Sequence, residues 1–350
     1  MQNDVHEGNN MRNVIDLLGI GKFYKASLHT HTNISDGSYS PEEVKKGYME
    51  QGYSIVAYTD HEVLVSHQEL SDENFLALTA YELSINENTV ERLHPYEKCY
   101  HFNCYSSKPE LEISPVFSIK EVWLEKSKKY ISEEQLKIDF DLKYNNETVT
   151  KMIKKLNESG FLVCYNHPSW SMSGYEDYSF IDGLWGIEVF NGGGGYGGNV
   201  ESITPFEYLL MQKKNVYPIA ADDMHYWNEA FLGFTMIKSP SLTYEDVFEA
   251  LKKGNFYSSE GPIITSLMLE GKTLHIECSE CRSVIVSTPI RKKVNVRGEK
   301  ITKCEIDLSY FFDNYEAIVN SNIEPYFRVT IVDSQGRNAY TKAYFIKDYI

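Results

Sequence analysis

The chain has 350 residues, enough for two domains at roughly 100–200 residues each. Its 42% hydrophobic and 24% charged residues are ordinary for a globular protein and exclude a mainly disordered chain. With 50 Asp and Glu against 34 Lys and Arg, the net charge of −16 argues against a general binder of nucleic acid or anionic membrane, since both need a basic face. No run approaches the ~18 apolar residues of a membrane span. The start, Met1 to Glu7, is polar and acidic and lacks the pattern of a signal peptide, so the expected compartment is the cytoplasm. Six cysteines (Cys99, Cys104, Cys164, Cys278, Cys281 and Cys304) in a chain this long are read as free thiols rather than a disulfide framework.

Residues 1–22 read as a polar lead-in with a short apolar segment at 14–20. Residues 24–28 predict a strand ending in His29-Thr30-His31. Ser40-Pro41-Glu42-Glu43 then opens a helix: Ser40 is a good N-cap, Pro41 suits the first turn, and Glu43 completes a capping box. Gly52 closes that helix. The β-rich run 54–58 ends in Asp60-His61, and 75–80 ends near Glu82. Over 107–146 the rhythm breaks into a polar insertion of the lid or binding-loop kind. Val149, Met152, Ile153 and Leu156 fall at helical spacing, which predicts a helix over 147–159 stopped by Gly160. Strands follow at 161–165, ending in Asn166-His167-Pro168, and at 185–190, ending in a glycine-rich loop from Gly192 to Gly198. Thr204-Pro205-Phe206-Glu207 repeats the capping-box pattern. Residues 216–221 predict a strand leading into Asp222-Asp223-Met224-His225, and a helix over 243–253 stops at Gly254.

Short apolar strands alternating with amphipathic helices point to βα units and a largely parallel sheet, in number better suited to a barrel than to an open sheet. After about residue 262 the texture changes to strand-length apolar runs at 274–278, 283–287, 304–308 and 327–332, with Asp333-Ser334-Gln335-Gly336-Arg337 as a hairpin turn. The expected organisation is a lead-in over 1–22, an α/β barrel domain over 23–261, and a small all-β, sandwich-like domain over 262–350.

Of the ten histidines, His29, His31, His61, His167 and His225 lie at or just beyond the C-terminal end of an apolar strand. Asp36, Asp60 and Asp223 fall in the same places, and Glu82 closes another run. In a βα barrel all strand C-termini face one side, so these residues would meet at one mouth. Singly, each is more often an ordinary strand-end polar group, and a lone His-x-His is more often incidental. Gathered without a cation, they would suffer repulsion and desolvation that divalent metals remove. Neutral imidazole with carboxylate suits Zn²⁺, Mn²⁺ or Fe²⁺, and the lack of Cys in the set argues against a purely structural zinc site.

The segments His29-Thr30-His31-Thr32, Ser35-Asp36-Gly37, Thr59-Asp60-His61, Glu82, His101, Asn166-His167-Pro168 and Asp223-Met224-His225 resemble the PHP (polymerase and histidinol phosphatase) superfamily in order and spacing, over about residues 24–260. The resemblance implies a distorted seven-stranded (β/α)7 barrel with two or three divalent metals at its mouth, and hydrolysis of phosphoesters, most often monoesters. Carried onto this chain, it implies that His29, His31 and Asp223 bind a first metal and that Glu82 bridges it to a second. His101 and His167 complete the second, and Asp36, His61 and His225 hold a third. His101 stands apart, near the start of its apolar run at 100–105. Asp60 and Asp222 have no place among these ligands and are expected to orient neighbouring histidines. A metal-bridged hydroxide would attack phosphorus, and His225 or Asp36 would protonate the leaving oxygen. The expected substrate is a small phosphomonoester such as a sugar phosphate, nucleotide or amino-alcohol phosphate. The rivals are a phosphodiesterase or exonuclease on nucleic acid, against which the acidic balance counts, and a non-catalytic metal-binding scaffold, against which the full ligand set counts.

Other candidates have blander readings. Glu188 and Asn191 end a strand and either touch substrate or make strand-end hydrogen bonds. The 192–198 glycines do not match a phosphate-binding loop. Cys278-Ser279-Glu280-Cys281 has C-x-x-C spacing but no second pair, and is expected in a β turn. Arg92 and His94 lie beside the expected mouth, Arg92 more as a solvated surface group than a phosphate ligand. His6, His67 and His275 have no supporting context. Trp170 either walls the pocket or packs ordinarily.

Overall fold

The computed structural model describes residues 14–87, 97–196 and 201–350. A short strand, β1 (Val14–Asp16), comes first. The next seven, β2 (Lys22–Ser27), β3 (Ile55–Tyr58), β4 (Leu76–Asn86), β5 (Cys99–Ser106), β6 (Phe161–Tyr165), β7 (Gly186–Asn191) and β8 (Tyr217–Ala221), lie side by side in chain order. Neighbours are parallel except at β5, which runs antiparallel to both β4 and β6. Strands β3 to β8 are buried along nearly their whole length, which is why they read as apolar runs rather than alternations.

The helices between them follow local signals. Ser40 and Glu43 exchange side-chain and backbone hydrogen bonds at the start of α1 (Pro41–Glu50). Asn145 caps α2 (Asn146–Glu158), which buries Val149, Met152, Ile153 and Leu156. Two short helices, α3 (Tyr175–Tyr178) and α4 (Gly192–Tyr196), come next, so the expected glycine loop begins as a turn of helix. Gly193 is required there: its N–H donates to Asp222 O at 2.6 Å, and a Cβ would meet Asp223 O at 2.8 Å. In α5 (Thr204–Met211) the expected cap fails. Thr204 is already helical, and Ile203 occupies the cap position without a side-chain bond. Thr243 caps α6 (Tyr244–Lys253), and Gly254 ends it at φ +66°, a left-handed conformation that favours glycine.

The ladder does not close into a complete barrel. On its other side β2 pairs with β9 (Phe234–Ser239), not with β8. The two ends of the seven-strand series meet only beyond their strands. There Thr30 bridges Met224, the His31 N–H donates to Met224 O, and the Asp223 N–H donates to His29 O, each bond 3.0 Å long. The architecture is therefore a mixed α/β sheet joined at one rim, and that rim carries His29, His31 and Asp223.

The chain then runs through β10 (Phe256–Ser259), β11 (Ile264–Glu270), β12 (Thr273–Ser287) and β13 (Val294–Asp307). Helices α7 (Ser309–Asp313) and α8 (Tyr315–Asn320) precede β14 (Tyr326–Val332), β15 (Asn338–Thr341) and β16 (Tyr344–Phe345). All pairings here are antiparallel, and they continue the N-terminal sheet through β9–β10–β15. Their hydrogen bonding does not set them apart from the N-terminal strands. One network of strands runs on, and Phe311 and Phe312 of α7 join Leu267, Ile276, Val286, Val329 and Ile331 in its apolar core. Residues 14–16, expected in the lead-in, pair with β11. Residues 278–281 do not turn the chain. The pairing of β12 with β13 shifts register there, a bulge that bends one long strand. Among the described residues no helix is long and apolar enough to cross a membrane.

Candidate metal centre

Strand direction decides which side chains reach the rim. His29 and His31 follow the end of β2 two residues apart, so both project to the same side, and both are fully buried. His61 lies three residues past β3, His167 two past β6, and Asp223 and His225 just past β8. Glu82 is within β4 and Glu188 within β7. His101 sits near the start of β5 because that strand is antiparallel; its first residues lie where the parallel strands end, and its register partner is Ser84. The backbone is forced at two of these points, with His167 at φ +25° and Asp223 at φ +53°, a region that non-glycine residues enter when surroundings compel it.

Glu82, 1% exposed, is the hub. Its Oε1 lies 3.3 Å from His29 Nε2, 3.1 Å from His101 Nδ1 and 3.3 Å from His167 Nε2. Its Oε2 lies 3.3 Å from His31 Nε2 and 3.2 Å from His61 Nδ1. Asp223 Oδ1 is 3.2 Å from His29 Nε2 and 3.1 Å from His31 Nε2, while those two nitrogens are 3.2 Å apart. Asp36 reaches His31 and His61 at 3.5 Å and His225 at 3.4 Å. Among the described residues three donor sets lie within 4.8 Å among themselves: His29, His31, Glu82 and Asp223; His31, Asp36, His61 and His225; and His61, Glu82 and His101. His167 falls outside these sets, held at 3.8 Å from Asp223 Oδ2 and with its ring 5.0 Å from that of His101.

Burial and mutual attraction pull the titrations in opposite directions. Burial favours the neutral form of every group, but the surrounding histidines hold Glu82 and Asp223 well below the carboxylate range. Against the same burial, Asp223 and Glu82 raise His29 well above the imidazole range, Glu82 does so for His101, and His31 is raised to about 10. At His61 burial wins and brings it down to about 4.

The supporting residues differ from expectation. Glu188 holds His29: its Oε1 is 2.7 Å from His29 Nδ1, and its Oε2 accepts the His167 N–H and the Asn191 side-chain amide, both at 2.9 Å. The bond at Nδ1 aims His29 Nε2 at Glu82 and Asp223. Asn166 donates to Glu82 Oε1 at 2.8 Å. Asp60 reaches a histidine only through Ser35, whose hydroxyl it accepts at 2.6 Å and which lies 3.4 Å from His31 Nδ1; it also accepts from the Thr32 and Ser35 N–H groups and the Thr32 hydroxyl and so shapes the loop before Asp36. Asp222 accepts from the Tyr48 hydroxyl and from the Phe231, Leu232 and Gly233 N–H groups, and burial raises its carboxyl to about 6. Glu188 was legible only as a strand-end acid; its partner, 159 positions away, is fixed by the fold.

The donor chemistry fits divalent cations. Imidazole nitrogens and carboxylate oxygens converge, and His61 Nδ1 is buried without a hydrogen bond. Asp36, His61, Glu82, His101, His167, Asp223 and His225 line a cavity of about 140 Å³ together with Ser84, Asn86, Trp123 and Trp170. His67 lies elsewhere, against Tyr58 and Glu69, and His275 lies between Glu270 and Glu305. Cys278 and Cys281 have sulfurs 3.8 Å apart, and burial raises both thiols. His6, Arg92 and His94 lie outside the described residues.

No family model matches the chain, and no curated protein matches it. Among solved structures it is similar to a two-domain protein from Bacteroides vulgatus containing predicted PHP-like metal-dependent phosphoesterase. That match has 12% identity and a TM-score of 0.42, and covers 96% of this chain and 100% of the other. A structure from Bifidobacterium adolescentis described as a metal-dependent phosphoesterase matches at 14% identity and a TM-score of 0.36, over 58% of this chain and 88% of that one. The lesion-specific endonuclease PfuEndoQ of Pyrococcus furiosus matches at 13% identity and a TM-score of 0.39, over 66% and 56%.

Proposed function

We propose that the chain is a metal-dependent phosphoesterase of the PHP type, acting on a small phosphomonoester. The observation that carries this reading is Glu82, one buried carboxylate facing five imidazoles and shared by two of the three donor sets. His29, His31, Glu82 and Asp223 would hold one divalent ion, and Asp36, His61 and His225, with His31 beside them, another. The third set, His61, Glu82 and His101, would hold a further ion, with His167 beside it. Bound there, such ions lower the pKa of water toward neutrality and neutralise phosphoryl oxygens.

The protein's own groups do the rest. Glu188 keeps His29 in one tautomer by holding its Nδ1. Asp36 is drawn well below the carboxylate range by His61, His225 and His31 despite its burial, so it stays ionised and suits a ligand rather than a proton donor. The His225 Nδ1 donates to Asp223 O at 3.0 Å, leaving Nε2 toward the cavity to bind a cation or to carry a proton, not both at once. An activated leaving group separates the two roles. His225→Ala losing far less on p-nitrophenyl phosphate than on an alkyl phosphate fits a proton donor; equal losses fit a ligand.

A small phosphate suits the narrow cavity. The overall charge of −16 does not set nucleic acid aside, because a mouth loaded with dications has its own local field. Turnover of p-nitrophenyl phosphate and bis-p-nitrophenyl phosphate with added Mn²⁺, and its loss with chelator, tests the reading. Faster diester turnover would replace the monoesterase reading with a diesterase. Failure on both esters and on a panel of natural phosphoesters would leave a scaffold.

A further inference from the structure

Two tryptophans at the cavity are not absorbed by the metal chemistry. Trp123 is 38% exposed and Trp170 is 40% exposed, although both line it. They come from different parts of the chain, Trp123 from the insertion between β5 and β6 and Trp170 from the loop after His167. Trp123 lies on the His61 side, ring centroids 6.1 Å apart. Trp170 lies on the other side, 4.9 Å from the His167 ring and 5.6 Å from the His101 ring. The rings thus stand beside the buried imidazoles and are themselves partly open to solvent.

The backbones behind them are held in place. Glu201, itself buried, accepts the Ser169 N–H at 3.0 Å and the Trp170 N–H at 3.1 Å. Val122, beside Trp123, is buried, and the Ser127 hydroxyl donates to Ile34 O at 2.7 Å, tying the insertion to the loop before Asp36. Among the described residues no Lys or Arg lines the cavity, and Ser84 and Asn86 are further polar side chains that do. An indole left exposed on an ordered loop gains most from covering a flat π-face.

Resting on the phosphoesterase reading, we propose that Trp123 and Trp170 are specificity-determining residues that grip a planar heteroaromatic ring on the leaving group, so that the substrate is a nucleotide. Ser84 and Asn86 are placed to meet the edge of that ring. The same base could arrive on a free mononucleotide or at the end of a strand.

AMP and ribose 5-phosphate expose the same alkoxide leaving group and differ by the base, so their comparison isolates the ring. With Zn²⁺-loaded protein we expect AMP to bind at least about tenfold more tightly by calorimetry, and to quench tryptophan emission where ribose 5-phosphate does not. Trp123→Leu and Trp170→Leu should each cut that preference severalfold, with Trp123→Phe and Trp170→Phe restoring part of it. Equal affinities in the wild type, or a preference that survives in both Leu variants, overturns the ring proposal. The Phe variants decide if a Leu variant fails to fold: an undiminished preference in both is equally fatal. AMP preference without turnover of any phosphoester would overturn the hydrolase reading and keep this one; turnover without preference does the reverse. Competition by a 5′-phosphorylated oligonucleotide, lost in the same variants, assigns the base to a strand end, and absence of competition assigns it to a free nucleotide.

Discussion

One network of strands carries two opposite interiors. At the rim, His29, His31, Glu82 and Glu188 are fully or almost fully buried, a concentration of polar and charged groups that desolvation penalises. In the C-terminal strands Leu267, Leu274, Ile276, Val284, Val329 and Ile331 form an apolar cluster, and the buried Arg328 of β14 pairs with Glu207. His275 shows the contrast within one residue type. It lies half-buried between Glu270 and Glu305 at 3.3 Å each, outside every donor set, whereas each rim histidine shares its carboxylates with other imidazoles. The apolar half holds itself together, and on the proposed reading the rim would be completed by a cation. Metal should therefore change the two halves unequally.

Glu82→Gln should break the comparison most severely. The amide keeps the volume but removes the charge shared by five imidazoles, and phosphoesterase activity should fall on the order of a thousandfold. Stoichiometric Zn²⁺ binding by calorimetry is expected to drop by at least one ion. Unchanged binding would show that Glu82 is not a ligand. Metal removal from the wild type should speed amide exchange around 29–36, 167–171 and 222–225 while leaving β11 to β15 protected, because a ligand bound to the native state stabilises what it touches.

Ile331→Ala tests the other half. Ile331 is fully buried in β14 between Val284 and Ala339, and its truncation should cost about 2–5 kcal/mol in denaturant unfolding. Metal stoichiometry should not move. A loss of bound metal in this variant would mean that the two interiors are coupled.

Legibility divided along the same line. Capping at α1 and α6 and the buried face of α2 were readable because they depend on residues three or four apart. The convergence of the rim histidines and acids was readable from their strand-end positions because parallel strands deliver their ends to one side. His101 fitted that rule poorly since strand direction, not written in a short apolar run, reverses the end that counts. Thr204 failed as a cap because its segment had already entered the helix. The bulge at Cys278–Cys281 imitated a turn, and the pairing that joins the C-terminal strands to the N-terminal ones through β9, β10 and β15 is long-range and left no local mark. The supporting acids were the hardest to place. Asp60, Asp222 and Glu188 are similar residues at similar strand ends, and only tertiary distance separates the one that holds a histidine from the two that brace backbone.

That distinction predicts a smaller effect at Glu188. Glu188→Gln can still accept through its amide oxygen but loses the charge that fixes the His29 tautomer, so Zn²⁺ affinity should weaken roughly 10–100-fold. Stoichiometry should stay intact, unlike that of Glu82→Gln. Unaltered affinity would make Glu188 a backbone brace like Asp60.

The smallest expected effect lies at the seam between the halves. Lys342, next to β15, donates at 2.9 Å to the carbonyl of Lys253, the last residue of α6, and its ammonium lies over the Tyr217 and Tyr344 rings. Burial, only partly offset by Asp348, brings it down to about 8 from an ordinary 10.5. A lysine that gives up its proton more readily when folded weakens the fold while both states are charged. Between pH 8 and about 10.5 the unfolded chain binds more protons, so this contribution makes stability rise with pH through that window. Buried tyrosines act in the opposite sense. Burial raises Tyr257 and Tyr344, so near pH 10 the unfolded chain ionises first and stability falls. The wild-type curve alone therefore mixes two trends. Lys342→Met removes one and leaves the tyrosines in place, so the stability of the wild type relative to Lys342→Met should climb from pH 8 and level off by about 10.5. A difference that stays flat across that range would show that the ammonium is solvated at the seam rather than buried in it.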